Sequence, residues 1–270
     1  MTRTSILAAA LVSTSLLTMA CGGDDHDTAK FTGLDNAHLD RALAAMTGGD
    51  VGSLYVVGMF ISGGSSTECP TITSSNNVTT VHGGCTTSDG DKLEGSIVAT
   101  NLPGVFTTNP SYDPSKPGTV VADGWKATSA TGEVQSIDGE VTIKNTGGVA
   151  DNGGTVSGWA DSLLDGLAAH TEISWTCDAT DLCSIGGDAW FDIDGVGAAT
   201  LSGTFRMDDP RTGAIDAKGA ETLTLDVAAS TDECRTYKIN GGAPQQRCDE
   251  PDPNAKQAPA GNRWLRAIGR

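Results

Sequence analysis

The sequence predicts an all-β fold: an antiparallel, meander-rich barrel or sandwich with one short N-terminal helix. Three observations carry that expectation. From Val51 onward, apolar and polar residues alternate in short runs rich in Val, Ile and Thr, the period of two expected of half-buried antiparallel strands. The runs are punctuated by Asp89-Gly90, Asp123-Gly124, Asn152-Gly153, Asp165-Gly166, Asp194-Gly195 and Asn240-Gly241, the pairs that tight hairpin turns prefer because both central positions need positive φ. With 35 glycines and 5% aromatic residues in 270, the core must be built from small and β-branched side chains, covered on its apolar face by closure or by a second layer.

The helix is expected over residues 35–47. Asp35 is placed to cap it, Leu39, Leu43 and Met46 recur at i, i+4 and i+7, and Gly48-Gly49 stops it. Among the strands, Leu201, Gly203, Phe205 and Met207 fall on one face with Ser202, Thr204, Arg206 and Asp208 on the other. Leu223, Leu225 and Val227 oppose Thr222, Thr224 and Asp226, and Val141 and Ile143 oppose Glu140, Thr142 and Lys144. An apolar-x-Gly-x-apolar echo at residues 93–97, 137–141 and 201–205 has uneven spacing, so it reads as similar strands or bulges rather than a repeat architecture. Pro103, Pro110, Pro114 and Pro117 mark a long loop, or a weak boundary between two sheet halves, between Leu102 and Gly118. The β-rich globular domain is placed at residues 34–248.

The first residues read as an address. Arg3 is a positive n-region, residues 6–20 are apolar or small, and Cys21-Gly22-Gly23-Asp24-Asp25 turns abruptly polar. The apolar run is shorter than the about 20 residues a membrane-spanning helix needs, which makes residues 1–20 a signal peptide. With Ala20 before Cys21, this segment resembles a bacterial lipoprotein precursor, although Leu17 stands one place early and Thr18 and Met19 replace the preferred Leu and small residue. Cleavage after Ala20 without lipidation is the competing reading. The resemblance implies acylation of Cys21, a lipidated tether over residues 21–33, and export to a membrane, with a periplasmic or cell-surface face. Gly22 in place of Asp implies the outer membrane.

Composition narrows the partners. The formal net charge is −17, with 17 basic against 34 acidic residues, a balance that repels nucleic acid. Setting Cys21 aside for lipid leaves Cys69, Cys85, Cys177, Cys183, Cys234 and Cys248. They fall as three local pairs, and short loops close most readily, so disulfides are expected between Cys69 and Cys85, Cys177 and Cys183, and Cys234 and Cys248. A zinc site using His82 and Cys85 is the less favoured alternative, since the chain has no C-x-x-C. No cofactor is indicated.

Signals for chemistry are sparse. There is no G-x-S-x-G, H-E-x-x-H or phosphate-cradling loop, so an enzyme is not the favoured reading. Asp89, Asp91 and Glu94 offer oxygens in a short loop but lack the full calcium-loop pattern. The sharpest candidate is residues 188–194, where alternation buries Ala189, Phe191 and Ile193 and aligns Asp188, Trp190, Asp192 and Asp194 on the opposite face. A Trp among carboxylates suits a sugar ring or a calcium ion, and equally an ordinary solvated face. The tail, residues 249–270, combines prolines with Arg263, Trp264, Leu265, Arg266, Ile268 and Arg270. The chain is thus expected to be a cell-envelope lipoprotein, structural or binding a ligand or protein partner. The alternatives are a carbohydrate- or calcium-dependent adhesive module and a secreted hydrolase acting on envelope polymers.

Overall fold

The computed structural model describes residues 27–104, 109–145, 153–207, 210–231 and 233–248. Among the described residues two helices, α1 (Asn36–Met46) and α2 (Gly49–Ile61), precede fifteen strands. These are β1 (Thr71–Ser75), β2 (Val78–His82), β3 (Cys85–Thr86), β4 (Lys92–Thr100), β5 (Gly118–Thr128), β6 (Val134–Asn145), β7 (Gly154–Leu164) and β8 (Leu167–Cys177). There follow β9 (Cys183–Ile185), β10 (Trp190–Ile193), β11 (Gly197–Arg206), β12 (Thr212–Lys218), β13 (Thr222–Asp226), β14 (Cys234–Ile239) and β15 (Gln245–Cys248). All the strand pairs are antiparallel and the path β1-β2-β4-β5-β6-β7-β8-β10-β11-β12-β13-β14-β15 is one continuous meander. Short β3 pairs with β4, and β9 pairs with β8 and β11.

The all-β, meander-rich class is what the structure has, and α1 starts and stops where the sequence places it. Asp35 caps it by accepting the His38 amide proton at 3.0 Å, and Leu39, Leu43 and Met46 are buried. The second helix is a departure from the single helix expected. Val51, Leu54, Gly58 and Ile61 form one buried stripe at helical spacing, although the segment's valines and glycines suggest strand. Gly48, at φ 69°, turns the chain directly from α1 into α2, and the two helices meet at 63°. No single helix among the described residues is long and apolar enough to cross a membrane.

Both helices lie on the inner face of the sheet. α2 packs on β2 and β4 to β8, α1 on β10 and β12. Two apolar clusters result: one joins α2 to Val81, Ile97, Val120, Trp125 and Val141, the other joins α1 to Phe191, Leu201, Phe205, Ile215 and Leu223. Trp175 packs against both. Between the helices, Arg41 and Asp50 form a buried bidentate ion pair at 2.8 and 2.7 Å, and Ser162 of β7 donates to Asp50 at 2.8 Å.

Several local expectations need correcting. Asp123-Gly124 is not a turn: it sits within β5 as a bulge opposite Asp138, where the register shifts between Ala122 and Trp125. Met207 lies past the end of β11 and is 47% exposed, so it does not continue the buried row of Leu201 and Phe205. The described residues of the proline-containing segment between β4 and β5, 101–104 and 109–117, form a loop as expected, organised by buried Asn101. Its side-chain nitrogen donates to the carbonyls of Asp113, Lys116 and Pro117, and its oxygen accepts from the Asp113 amide.

The stretch read as a tether is docked from Asp27 onward. Ala29 donates to the Ala198 carbonyl at 2.8 Å, Ala29 and Phe31 are buried, and Glu221 accepts from the amides of Phe31 and Thr32 at 2.6 Å each. The Thr32 hydroxyl and amide, then the Phe31 amide and Asn240, hold the Glu221 carboxyl down at about 2. A depressed carboxyl stabilises the fold above its unfolded value and loses that contribution as pH falls through the folded one. The stability gap between wild type and Glu221→Gln is therefore expected to be full at neutral pH and to shrink from about pH 4.5 toward 2. Thermal melts across that range, with a carboxyl carbon titration of Glu221, check it. Residues 1–26, including Cys21, and residues 249–270 lie outside the described residues.

Candidate functional site

The three disulfides pair Cys69 with Cys85, Cys177 with Cys183, and Cys234 with Cys248. The last two join residues directly opposite each other in the β8–β9 and β14–β15 ladders. Cys85 is thereby taken from any zinc site. Glu94 of the acidic loop is held by Lys92 at 2.8 Å and Lys126 at 3.6 Å, and the Lys92 ammonium lowers its pKa. Among the described residues no three His, Cys, Asp or Glu side chains converge as a metal site.

The alternation expected at residues 188–194 holds. Ala189, Phe191 and Ile193 are buried in the α1 cluster, and Trp190 and Asp192 point from β10 to the outer face. Asp188 and Asp194 are exposed at opposite ends of β10, in the turns that flank it, so the four residues do not converge. What joins Trp190 and Asp192 comes instead from neighbouring strands.

Register builds the site. The hairpin of β7 and β8 turns on Asp165-Gly166, which places Trp159 opposite Glu172 and Asp161 opposite His170. β10 continues both rows, with Trp190 beside Glu172 and Asp192 beside His170. β6 extends them on the other side, with Glu140 beside Trp159 and Asp138 beside Asp161. Two rows therefore run across four strands: Glu140, Trp159, Glu172, Trp190 and, next to it, Asp138, Asp161, His170, Asp192. Beyond Asp138 the β5 bulge adds Asp123.

Trp190 and His170 are oriented by hydrogen bonds to carboxylates. Trp190 donates its indole N–H to Glu172 Oε2 at 2.9 Å, and His170 Nδ1 lies 2.7 Å from Asp161 Oδ1. His170 stands between the two indoles, its ring centre 4.6 Å from Trp190 and 6.4 Å from Trp159, nearly parallel to the latter at 16°. Trp159 is 38% exposed. An open depression of about 340 Å³ borders this array, lined by Gly124, Lys126, Ser136, Asp138, Asp161 and Leu163 among others.

Chemically this is an aromatic platform edged with acceptors. Indole faces stack on apolar or cationic surfaces, and carboxylates accept hydroxyl or ammonium protons. Asp161 and His170 form a carboxylate–imidazole pair. Of this platform, the sequence singled out Trp190 and Asp192. Trp159, Asp161, His170 and Glu172 were within reach through the Asp165-Gly166 turn, since folding the chain about it sets their register. Compared with known protein families, curated proteins and solved structures, the chain finds no significant match.

Proposed function

We propose that the protein is an exported, lipid-anchored envelope module that binds glycan on the outer face of its sheet. The observation that carries this reading is the Trp159–His170–Trp190 array on a ladder of paired strands, with His170 held by Asp161 and Trp190 by Glu172. Rings locked by hydrogen bonds lose little freedom on binding, which is what a shallow site needs to gain affinity. The inner face offers no comparable surface, because α1, α2 and the two apolar clusters occupy it. Export and anchoring are supported by the signal-like segment ending at Cys21 and by three disulfides, which persist in oxidising compartments.

Isothermal titration against a panel of envelope-type oligosaccharides tests the binding half. Trp159→Ala and Trp190→Ala are each expected to cost about 2 kcal/mol, roughly thirty-fold in affinity, with little change in melting temperature because both rings are partly exposed. Unchanged affinity in both variants would reject the platform. Mass spectrometry of the native N-terminus tests the anchoring half: a diacylglyceryl group on Cys21 is expected, and an unmodified thiol there counts against it.

A further inference from the structure

We infer that one end of the sheet is held against a lipid surface by a tether too short to let it turn away: the turns at residues 165–166, 194–196, 219–221 and 240–244 face the membrane, and the strands rise from it. This rests on the anchoring half of the reading above and adds the orientation of the anchored domain.

Topology gathers those turns. β8, β11 and β13 begin at this end, and β7, β10, β12 and β14 finish there, each antiparallel to its neighbours. The Asp194 amide donates to the Ala168 carbonyl at 3.0 Å and the Asn240 amide to the Thr222 carbonyl at 2.8 Å, which ties adjacent turns together.

The chain enters the fold at the same end. Thr28 bridges Ala198 in parallel, at the start of β11. Ala198 donates to the Asp27 carbonyl and Ala29 to the Ala198 carbonyl at 2.8 Å each, while the Glu221 amide donates to the Ala29 carbonyl at 3.2 Å. Gly197 and Gly219 lie directly against this segment, where a side-chain carbon at either would strike the backbone of Asp27 or Ala29. Asp27 is therefore a fixed point on the body.

Lengths then decide the orientation. Five residues, 22–26, separate Cys21 from Asp27. The six steps between them reach at most about 22 Å by any path, and a flexible glycine-containing chain of that length averages about 13 Å. β7 and β8 have 11 residues each, which makes the sheet about 34 Å tall there. With the acyl chains of Cys21 buried among lipids, the far end, where Cys177–Cys183 and Cys234–Cys248 lie, cannot take the place of the near one. Lying flat on the outer face is opposed by charge, since the chain carries −17 and that face presents Glu140, Glu172, Asp138 and Asp161, which anionic headgroups repel. Trp190 stands four residues above Asp194, about 13 Å, so the aromatic face looks sideways from within about 35 Å of the headgroups. The glycan it takes is one lying alongside this membrane.

Amide relaxation of the acylated full-length protein tests the inference, with glycine-selective isotope labelling and nanodiscs of phosphatidylethanolamine and phosphatidylglycerol that carry a gadolinium-chelate lipid. Gly166, Gly195, Gly219 and Gly241 are expected to relax at least about tenfold faster than Gly153 and Gly213, which stand about 20 Å or more farther off, because the effect falls with the sixth power of distance. Inserting about 20 Gly and Ser residues after Gly23 carries the tether's reach past the height of the sheet and should erase that contrast. Equal relaxation of the two groups in the native protein would mean a domain that swings or lies flat, and overturns the inference while the anchor stands. A contrast that survives the insertion overturns it too, since an adhesive surface would then set the orientation. Mass spectrometry of the same sample separates the remaining case: an unacylated Cys21 removes the anchoring reading and this inference with it.

Discussion

Asp50→Ala is expected to lower the unfolding free energy by about 3–5 kcal/mol, the range seen when one partner of a buried ion pair is deleted. Asp50 and Arg41 are among the few buried charges, with side chains 5% and 10% exposed. Asp50 accepts both terminal nitrogens of Arg41 and the Ser162 hydroxyl, and Ser162 also receives a hydrogen bond from Arg41. Removing the carboxylate strands the guanidinium, whose Nε already lacks a partner, among the apolar residues of both clusters. The paired replacement Arg41→Met with Asp50→Leu deletes both charges and should cost much less, because no charge is left without water or a partner. Chemical denaturation with the disulfides intact measures both. A single and a double variant of equal stability would show that the pair acts only by filling space. The network joins α1, α2 and β7, so its loss should also loosen the bend between the helices, seen as faster amide exchange across residues 44–52.

Much of this fold was legible because local chemistry and tertiary packing agree in it. Asp35 caps α1 and Gly48, at positive φ, stops it, and the Asp165-Gly166 and Asn240-Gly241 turns have positive φ at both residues, as tight hairpins require. The same kind of dipeptide misleads at Asp123-Gly124, where both strands continue past it and the extra residue is absorbed as a bulge. α2 was hidden by composition. Its Val51, Gly52, Val57 and Gly58 are poor helix formers, and tertiary burial under β4 to β8 overrides propensity. The candidate site was half legible for a different reason. Trp190 and Asp192 lie on one strand, where alternation alone aligns them, whereas Trp159, Asp161, His170 and Glu172 join them only through pairing between strands. That pairing is fixed by register, which a one-residue slip would undo.

Gly48→Ala is expected to cost about 2–5 kcal/mol, from two sources that act together. Gly48 sits at φ 69°, a left-handed conformation that costs an L-residue roughly 1–2 kcal/mol. A methyl group there would also stand 2.6 Å from Cη2 of Trp175, and forcing a packed ring aside costs roughly 1–3 kcal/mol. Trp175 cannot yield cheaply, since it touches both apolar clusters and meets Phe205 edge-on at 5.6 Å. The control lies one helical turn on: Gly52 is within α2 and has nothing within 4 Å of the added methyl. Gly52→Ala should therefore stabilise the protein by about 0.8–1 kcal/mol through helix propensity alone. Opposite signs for these two Gly→Ala changes, read by denaturation together with a shifted Trp175 indole resonance only in Gly48→Ala, would establish that the junction is sterically determined. Equal effects at both sites would mean that the bend is set by the Arg41–Asp50 pair and that Gly48 merely permits it.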